Sequence, residues 1–267
     1  MFASAAEEQK EVAFDAGHRP VLRTREIDEV IPGWRERLLV GGERIVVDQY
    51  GGSRGTGKNP ALVMIDFQHA YLGRDTTIAD QIDEFPAGSG ERAWHALRTA
   101  ANVVKSARVA GIPIIYTVVA RKNEIQKGGF DDKRRKAVDL TEGSPGTRIP
   151  AAIAPDSRDQ QYSKPAASIF FGTGIEDYLE SNGIDTLLMA GLSTGGCVRA
   201  SVVDAAARGY SAVVITDAVA DRLQFAHEAA FVDIWMKYGD LALSQDVCDF
   251  FVARAGADRP TLLGTGH

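Results

Sequence analysis

The sequence predicts an α/β fold in which helices cover both faces of a central, mostly parallel sheet. Two observations support this prediction. Apolar runs recur along the chain with helical stretches between them, and each run is hydrophobic almost without alternation, which is typical of parallel strands buried on both faces. The predicted strands are ALVMID at 61–66, IPIIYTVVA at 112–120, TLLMAG at 186–191 and SAVVITD at 211–217.

The segments between these runs have the composition of helices. They are rich in Ala, Leu, Arg and Glu, and two of them end at a glycine that can cap a helix, Gly111 and Gly209. The predicted helices span 91–109, 174–182 and 197–208. Because strand and helix alternate, we expect ligands to bind beyond the carboxyl ends of the strands.

The chain divides into an N-terminal arm at 1–58 and an α/β domain at 59–267. The arm lacks the regular alternation and ends in the glycine-rich run GGSRGTGKN. It carries Trp34 and the apolar run LLV at 38–40, and our hypothesis is that it wraps around a neighbouring subunit, since similar proteins form dimers or tetramers. A polar insertion at 121–160 is longer than a connection needs to be, so we expect it to lie over the functional site.

Composition disfavours several classes of function. A net charge of -6 argues against a nucleic-acid partner, which would require a basic surface. No apolar run approaches the roughly 20 residues of a membrane helix, and the acidic start does not resemble an export signal, so we expect the cytoplasm. The G-x-x-x-x-G-K match at 52–58 is followed by Asn59 and Pro60 rather than by Ser or Thr and a helix, which disfavours nucleotide binding.

Two residues at predicted strand ends are candidates for chemistry. Asp66 ends the first strand run, where it is either a catalytic carboxylate or a helix N-cap. Cys197 follows GLSTGG and opens a helix, so the helix dipole is expected to lower its pKa and the local N–H groups to hold an oxyanion. The alternative for Cys197 is a small buried core residue. Cys248 lies among apolar neighbours at helical spacing and is assigned to the core, and both cysteines are expected to be free thiols.

Lys164 is a weaker candidate from its local sequence. A lysine before a proline, as in QYSKPAAS, is usually part of a solvated turn. A nucleophilic thiol needs a base, here a carboxylate, to take up its proton. A lysine beside the thiol and the carboxylate would stabilise their charged forms. Asp66, Lys164 and Cys197 together would form a catalytic constellation without histidine.

At these residues the sequence resembles the isochorismatase-like cysteine hydrolases, in particular the N-carbamoylsarcosine and maleamate amidase branch. The resemblance covers about residues 58–254 and rests on NPALVMIDFQHAYL, on the lysine followed by Ala-Ser-x-Phe-x-Gly-Thr, and on GLSTGGCVRASVVDAAARGY. It implies a three-layer sandwich with a six-stranded sheet, and an assembly as a homodimer or homotetramer. It also implies that Asp66 shuttles protons, Lys164 organises the charges and Cys197 is the nucleophile. A cis peptide between Leu192 and Ser193 would then direct the Ser193 N–H, with that of Cys197, into the oxyanion hole.

The same resemblance implies a set of substrate-binding residues. Arg222, in DAVADRLQF, is a candidate to bind a substrate carboxylate, with a surface salt bridge as the alternative. His227 is more typical of packing than of substrate contact. The remaining candidates are Leu192, Thr194 and His69, the last standing where relatives often have Asn.

The implied activity is hydrolysis of a small amide or ureido substrate with release of ammonia, through a thioester and with no cofactor. The N-carbamoylsarcosine type is the first interpretation and the maleamate type the second, followed by biuret or nicotinamide. No metal is expected, because the Asp-x-His pair of zinc-binding relatives is absent and His69 and His95 lack an acidic partner. Two competing hypotheses are an isochorismate-type enzyme, which cleaves a vinyl ether without a cysteine, and a non-catalytic scaffold.

Overall fold

A six-stranded, all-parallel sheet forms the centre of the molecule, in the order β3-β2-β1-β4-β5-β6. The structure is a computed structural model that describes residues 12–122, 133 and 136–257. Every residue of β1 and β4 is buried, which is why these two strands read as continuous apolar runs. The strands are β1 Pro60–Ile65, β2 Ile114–Val119, β3 Gln160–Lys164, β4 Thr186–Leu192, β5 Ser211–Ala220 and β6 Asp240–Ala242.

Helices flank the sheet and connect its strands. The long helix α5 packs against both β5 and the C-terminal helix α9, burying a row of Ala, Val and Leu side chains. The helices are α1 Ile27–Val30, α2 Trp34–Leu38, α3 Glu43–Val47, α4 His69–Leu72, α5 Glu91–Val109, α6 Ile175–Ser181, α7 Arg199–Ala207, α8 Gln224–Lys237 and α9 Ser244–Ala257. None of the helices in the described part of the chain is long and apolar enough to cross a membrane.

The predicted α/β fold and its six-stranded sheet are confirmed. The four apolar runs correspond to β1, β2, β4 and β5, and the three predicted helices correspond to α5, α6 and α7. The sequence did not predict β3 and β6, which are the two edge strands. Edge strands are often short or polar; β3 alternates between partly buried and exposed residues, and β6 has only 3 residues.

The described part of the arm packs along its own domain. Trp34 is fully buried, and its ring meets that of Trp235 edge-on with the centroids 6.4 Å apart. Arg25 forms a 2.6 Å ion pair with Asp246 of α9. In the LLV run, the two leucines pack against this core and Val40 is exposed. Contact of the arm with a neighbouring subunit stays a prediction, as does the division of the chain at residue 58.

The insertion at 121–160 is only partly described. Residues 123–132 and 134–135 lie outside the described part of the chain, so the prediction that they cover the site is not addressed there. The remainder includes short 3₁₀ turns at Pro145–Thr147 and Ala151–Ile153. Gln68, buried just after β1, donates to the carbonyl of Gly146 and so ties this segment to the centre of the sheet.

Candidate active site

The three predicted catalytic residues meet at the carboxyl edge of the sheet. Asp66 directly follows β1, Lys164 is the last residue of β3, and Cys197 lies in the turn after β4. Because β2 separates β1 from β3, the lysine side chain must extend across one strand to reach the aspartate. Its Nζ lies 2.7 Å from Asp66 Oδ2, and both side chains are 0% exposed.

The Asp66 carboxylate is held by side chains. Besides Lys164, the Thr117 hydroxyl on β2 donates to Asp66 Oδ1 at 3.0 Å. The backbone of Asp66 has a φ of 52°, in the left-handed region that costs energy for a residue with a side chain. The helix-cap interpretation is wrong, because the residue before α4 is Gln68. Burial raises the pKa of the Asp66 carboxyl, although Lys164, Cys197 and Thr117 all favour its ionised form.

Lys164 has no contact with solvent. Its ammonium donates to Asp66 and to the carbonyls of Ala166 and Ala167, at 3.0 and 2.8 Å, so three acceptors replace water. Burial opposes the charge, yet the pKa of Lys164 is raised because Asp66 and Cys197 stabilise the ammonium. The alternative of a solvated turn is therefore wrong. A buried charge of this kind is tolerated only when it is paired and hydrogen-bonded.

Cys197 lies in a π-helical turn, Thr194–Val198, that leads into α7. Its thiol is 8% exposed and interacts with both the Asp66 carboxylate and the Lys164 ammonium. The expected lowering of its pKa is wrong. Burial and the charge of Asp66 together raise the pKa of the Cys197 thiol to about 12, and Lys164 opposes both effects only in part. A thiol whose pKa is raised needs a base before it can act as a nucleophile.

Cys197 opens onto a small cavity of about 180 Å³. Two of the predicted substrate-binding residues, Leu192 and Arg222, line this cavity, as does Ser193 from the predicted oxyanion hole. Arg222 forms no ion pair with any residue that the structure describes, so the salt-bridge alternative is not supported. The lining residues are Tyr71, Ala87, Ser89, Ala167, Leu192, Ser193, Gly196, Cys197 and Arg222.

Two other predicted contacts lie elsewhere. Thr194 is fully buried, and its hydroxyl is 2.7 Å from His227 Nδ1, so it does not line the cavity beside Cys197. His69, at the start of α4, does not line this cavity either. His227 packs edge-on against Phe231 with the ring centroids 4.5 Å apart, in agreement with its interpretation as a packing residue.

The backbone between β4 and Cys197 has the conformation that the resemblance implied. The peptide bond between Leu192 and Ser193 is cis. Just before it, Gly191 has a φ of 143°, and a Cβ there would lie 2.0 Å from the carbonyl oxygen of Ile65. Only glycine allows β4 to approach the end of β1 this closely. This approach brings the turn that carries Cys197 next to Asp66.

Three supporting residues were not predicted. Thr117 was hidden inside the apolar run of β2, where its only signal was a hydroxyl in a buried strand. Ser201 on α7 donates to the carbonyl of Cys197 at 2.7 Å and accepts from the N–H of Ile169 at 3.1 Å, so it joins the nucleophile turn to the segment after Lys164. Asp221, after β5, accepts from the N–H of Gly195 at 2.9 Å.

A second and more open cavity of about 410 Å³ lies beside this site. Its lining includes His95, His227 and Asp221. Burial lowers the pKa of His227, with Asp221 opposing the shift. Within the described residues, no group of three His, Cys, Asp or Glu side chains has the arrangement of a metal site.

The chain is similar to proteins of one family. An isochorismatase domain model matches residues 60–246. Over 199 residues the chain is 34% identical to a maleamate amidohydrolase of Pseudomonas putida, and the match covers 74% of this chain and 89% of that protein. Over 204 residues it is 28% identical to an N-carbamoylsarcosine amidase of Arthrobacter sp., covering 74% of each.

Solved structures give the same result. An isochorismatase family protein from Desulfovibrio vulgaris superposes with a TM-score of 0.64 at 26% identity, covering 73% of this chain and 100% of that one. The domain match spans most of the chain, and the sheet order and cysteine turn described above lie within it. The chain therefore belongs to the isochorismatase family of hydrolases, as the sequence resemblance implied.

Proposed function

We propose that this isochorismatase-family amidohydrolase cleaves the C–N bond of a small amide or ureido compound that carries a carboxylate, with release of ammonia. The observation that carries this proposal is the contact of the Cys197 thiol with the buried pair Asp66 and Lys164, at the wall of a cavity that also contains Arg222.

In the first step, the sulfur of Cys197 attacks the carbonyl carbon of the substrate while Asp66 takes the thiol proton. The raised pKa of Asp66 makes its carboxylate a stronger base than an exposed one, which is needed for a thiol whose own pKa is raised. The negative charge that develops on the carbonyl oxygen is stabilised by the backbone N–H groups of Ser193 and Cys197.

The tetrahedral intermediate then breaks its C–N bond. Asp66 returns the proton to the departing nitrogen, which leaves as ammonia, and the acyl group remains on Cys197 as a thioester. Water attacks the thioester with Asp66 again as the base, and the C–S bond breaks to release the acid and regenerate the thiol. Lys164 keeps its charge throughout and stabilises the anionic forms of its two neighbours.

The cavity supports a small, anionic substrate. Its volume of about 180 Å³ is below the roughly 300 Å³ at which pockets for drug-sized ligands begin. Arg222 is its one lysine or arginine among the described residues. A guanidinium is suited to hold a carboxylate through two parallel hydrogen bonds, which would place the amide end of the substrate toward Cys197.

Two substrates fit this description. Maleamate would give maleate, and an N-carbamoyl acid such as N-carbamoylsarcosine would give a carbamate that loses carbon dioxide. The family resemblance of the sequence placed N-carbamoylsarcosine first, with maleamate as the alternative. The higher identity to the maleamate amidohydrolase, 34% against 28%, supports maleamate as the first candidate and N-carbamoylsarcosine as the second.

The test is ammonia release from maleamate, N-carbamoylsarcosine, nicotinamide and biuret, in the presence of a chelator. We expect turnover of one of the first two and little from the last two, which carry no carboxylate. Preference for nicotinamide or biuret would contradict the proposed substrate class.

Arg222→Gln sharpens this test. The variant should lose about tenfold to a hundredfold in kcat/KM on the carboxylate substrate, since hydrogen bonds to charged groups contribute about 1.5–3 kcal/mol. Arg92→Gln is the matched control, because Arg92 lines the second cavity instead. Equal losses in both variants would remove Arg222 from the proposal.

A further inference from the structure

Asp221 connects the nucleophile turn to the segment that carries Arg222. It directly follows β5 and is 7% exposed. Its Oδ2 accepts from the N–H of Gly195, in the turn before Cys197, at 2.9 Å. Its Oδ1 faces the N–H of Leu223 at 3.4 Å, which closes a tight turn around Arg222. One carboxylate therefore joins two pieces of backbone that approach the cavity from different strands.

Asp221 itself is not part of the cavity beside Cys197. The residues that line this cavity include its neighbour Arg222 and the turn residue Gly196, whereas Asp221 lines the second cavity. A second contact supports the connection, because Thr194 in the same turn is joined by a 2.7 Å hydrogen bond to His227 in α8, the helix that begins two residues after Arg222. Arg222 is exposed, and among described residues its side chain has one hydrogen bond, to the carbonyl of Pro86 at 3.5 Å. Its position therefore depends mainly on its backbone.

We propose that Asp221 is a positioning residue that sets the distance between Arg222 and the Cys197 turn, and thereby gives the site its preference for carboxylate-bearing substrates. This inference rests on the proposed role of Arg222. A substrate held at both ends needs the two holding groups at a fixed separation, and a misplacement of about 1 Å can cost about a hundredfold in rate. A substrate without a carboxylate uses only the Cys197 end and does not sense that distance.

The variant that tests this is Asp221→Asn. The two N–H groups bind different oxygens of Asp221, and in asparagine one of these oxygens is replaced by an NH2 group that cannot accept, so one of the two hydrogen bonds is lost. We expect kcat/KM for the carboxylate substrate to fall about tenfold or more, and that for an uncharged amide of equal chain length to fall less than about twofold, by the same argument. In an Arg222→Gln background the Asp221→Asn substitution should add almost nothing, because residues that act as one unit are not additive.

Asp217→Asn is the matched control. Asp217 lies on β5, the strand that Asp221 follows, and its carboxylate also accepts a backbone N–H, that of Ser244 at 2.8 Å. No hydrogen bond joins Asp217 to the nucleophile turn among the described residues. Loss of a structural carboxylate should lower the melting temperature without changing the ratio of the two substrates. If Asp221→Asn behaves like Asp217→Asn, with equal losses on both substrates, the positioning role is wrong.

A readout that does not need turnover separates this inference from the proposed function. Alkylation of Cys197 by iodoacetate and by iodoacetamide, in a Cys248→Ala background, compares an anionic with a neutral reagent at the same sulfur. We expect Arg222 to favour iodoacetate, and both Arg222→Gln and Asp221→Asn to lower the ratio of the two rates. If both variants lower the ratio of the iodoacetate rate to the iodoacetamide rate but the enzyme turns over no amide, the proposed substrates are wrong and the positioning role stands. An unchanged ratio in Asp221→Asn would overturn the inference.

Discussion

Aspartates lie at both ends of the central sheet, and their partners differ. At the amino end, Asp185 accepts the N–H groups of Lys58 and Asn59, and Asp240 accepts that of Gly55 and the hydroxyl of Ser53. These bonds fasten the arm to the domain. At the carboxyl end, Asp66 instead meets an ammonium, a hydroxyl and a thiol.

The difference separates a structural carboxylate from a chemical one. A backbone N–H holds its proton at every accessible pH, so a carboxylate bound to it serves as a fixed anchor. A thiol can release its proton, and a carboxylate buried beside it with a raised pKa can take it up. Burial alone does not identify the catalytic residue; the identity of its donors does.

The largest effect is expected at the carboxyl end. Asp66→Asn removes the base and Lys164→Met removes the cation that organises the pair, so each should lower kcat/KM by about a thousandfold or more. Circular dichroism and melting temperature would check that each variant folds. Full activity in a folded variant of either kind would refute the assignment.

A smaller effect is expected at the hydroxyl that supports Asp66. Thr117→Val removes a hydrogen bond to the ionised carboxylate, so the pKa of Asp66 should rise further. Because Asp66 acts in its ionised form, activity should then be lost at higher pH as the solution is acidified. The acid limb of kcat/KM should move up by about one pH unit, since a bond to a charged group contributes about 1.5 kcal/mol and one unit corresponds to about 1.4 kcal/mol.

Thr216→Val is the control for this shift. Thr216 on β5 also uses its hydroxyl in a buried hydrogen bond, to the carbonyl of Ala242. The strand β4 separates β5 from β1, the strand that Asp66 follows. Its variant should keep the acid limb of the parent. A shift of equal size in both variants would mean that Thr117 acts only through general stability.

The smallest effect on activity is expected at the amino end. Asp240→Asn replaces an acceptor of several bonds and should lower the free energy of unfolding by about 1–3 kcal/mol, measured by urea denaturation. The value of kcat should change less than about twofold, because the residue lies at the opposite end of the sheet from Cys197. A loss of activity comparable to that of Asp66→Asn would abolish the distinction between the two ends.

The sequence predicted the parts of this molecule that depend on local pattern. The strands β1 and β4 are buried on both faces, and so Asp66 and Cys197 could be placed at their ends. Lys164 could not be placed in this way, because it lies on the polar edge strand β3. It meets Asp66 only when β1, β2 and β3 are assembled side by side. For Lys164, the family resemblance supplied what the local pattern did not.

The features that the sequence missed depend on tertiary contacts. Asp221 and Ser201 act on backbone groups of segments distant in the chain, so no local spacing marks them. The pKa of Cys197 was expected to be low from its place at a helix start, but burial and the charge of Asp66 dominate it. The degree of burial cannot be read from the residues around a single turn.

The proposal that Cys197 is the nucleophile is tested most directly by measuring the mass of the enzyme after rapid quenching during turnover, with peptide mapping of any adduct. Ammonia release by Cys197→Ala is measured in parallel. We expect an acyl group on Cys197, none on Cys248, and no ammonia from the variant. Ammonia release by Cys197→Ala at a rate near that of the unmodified chain would contradict it.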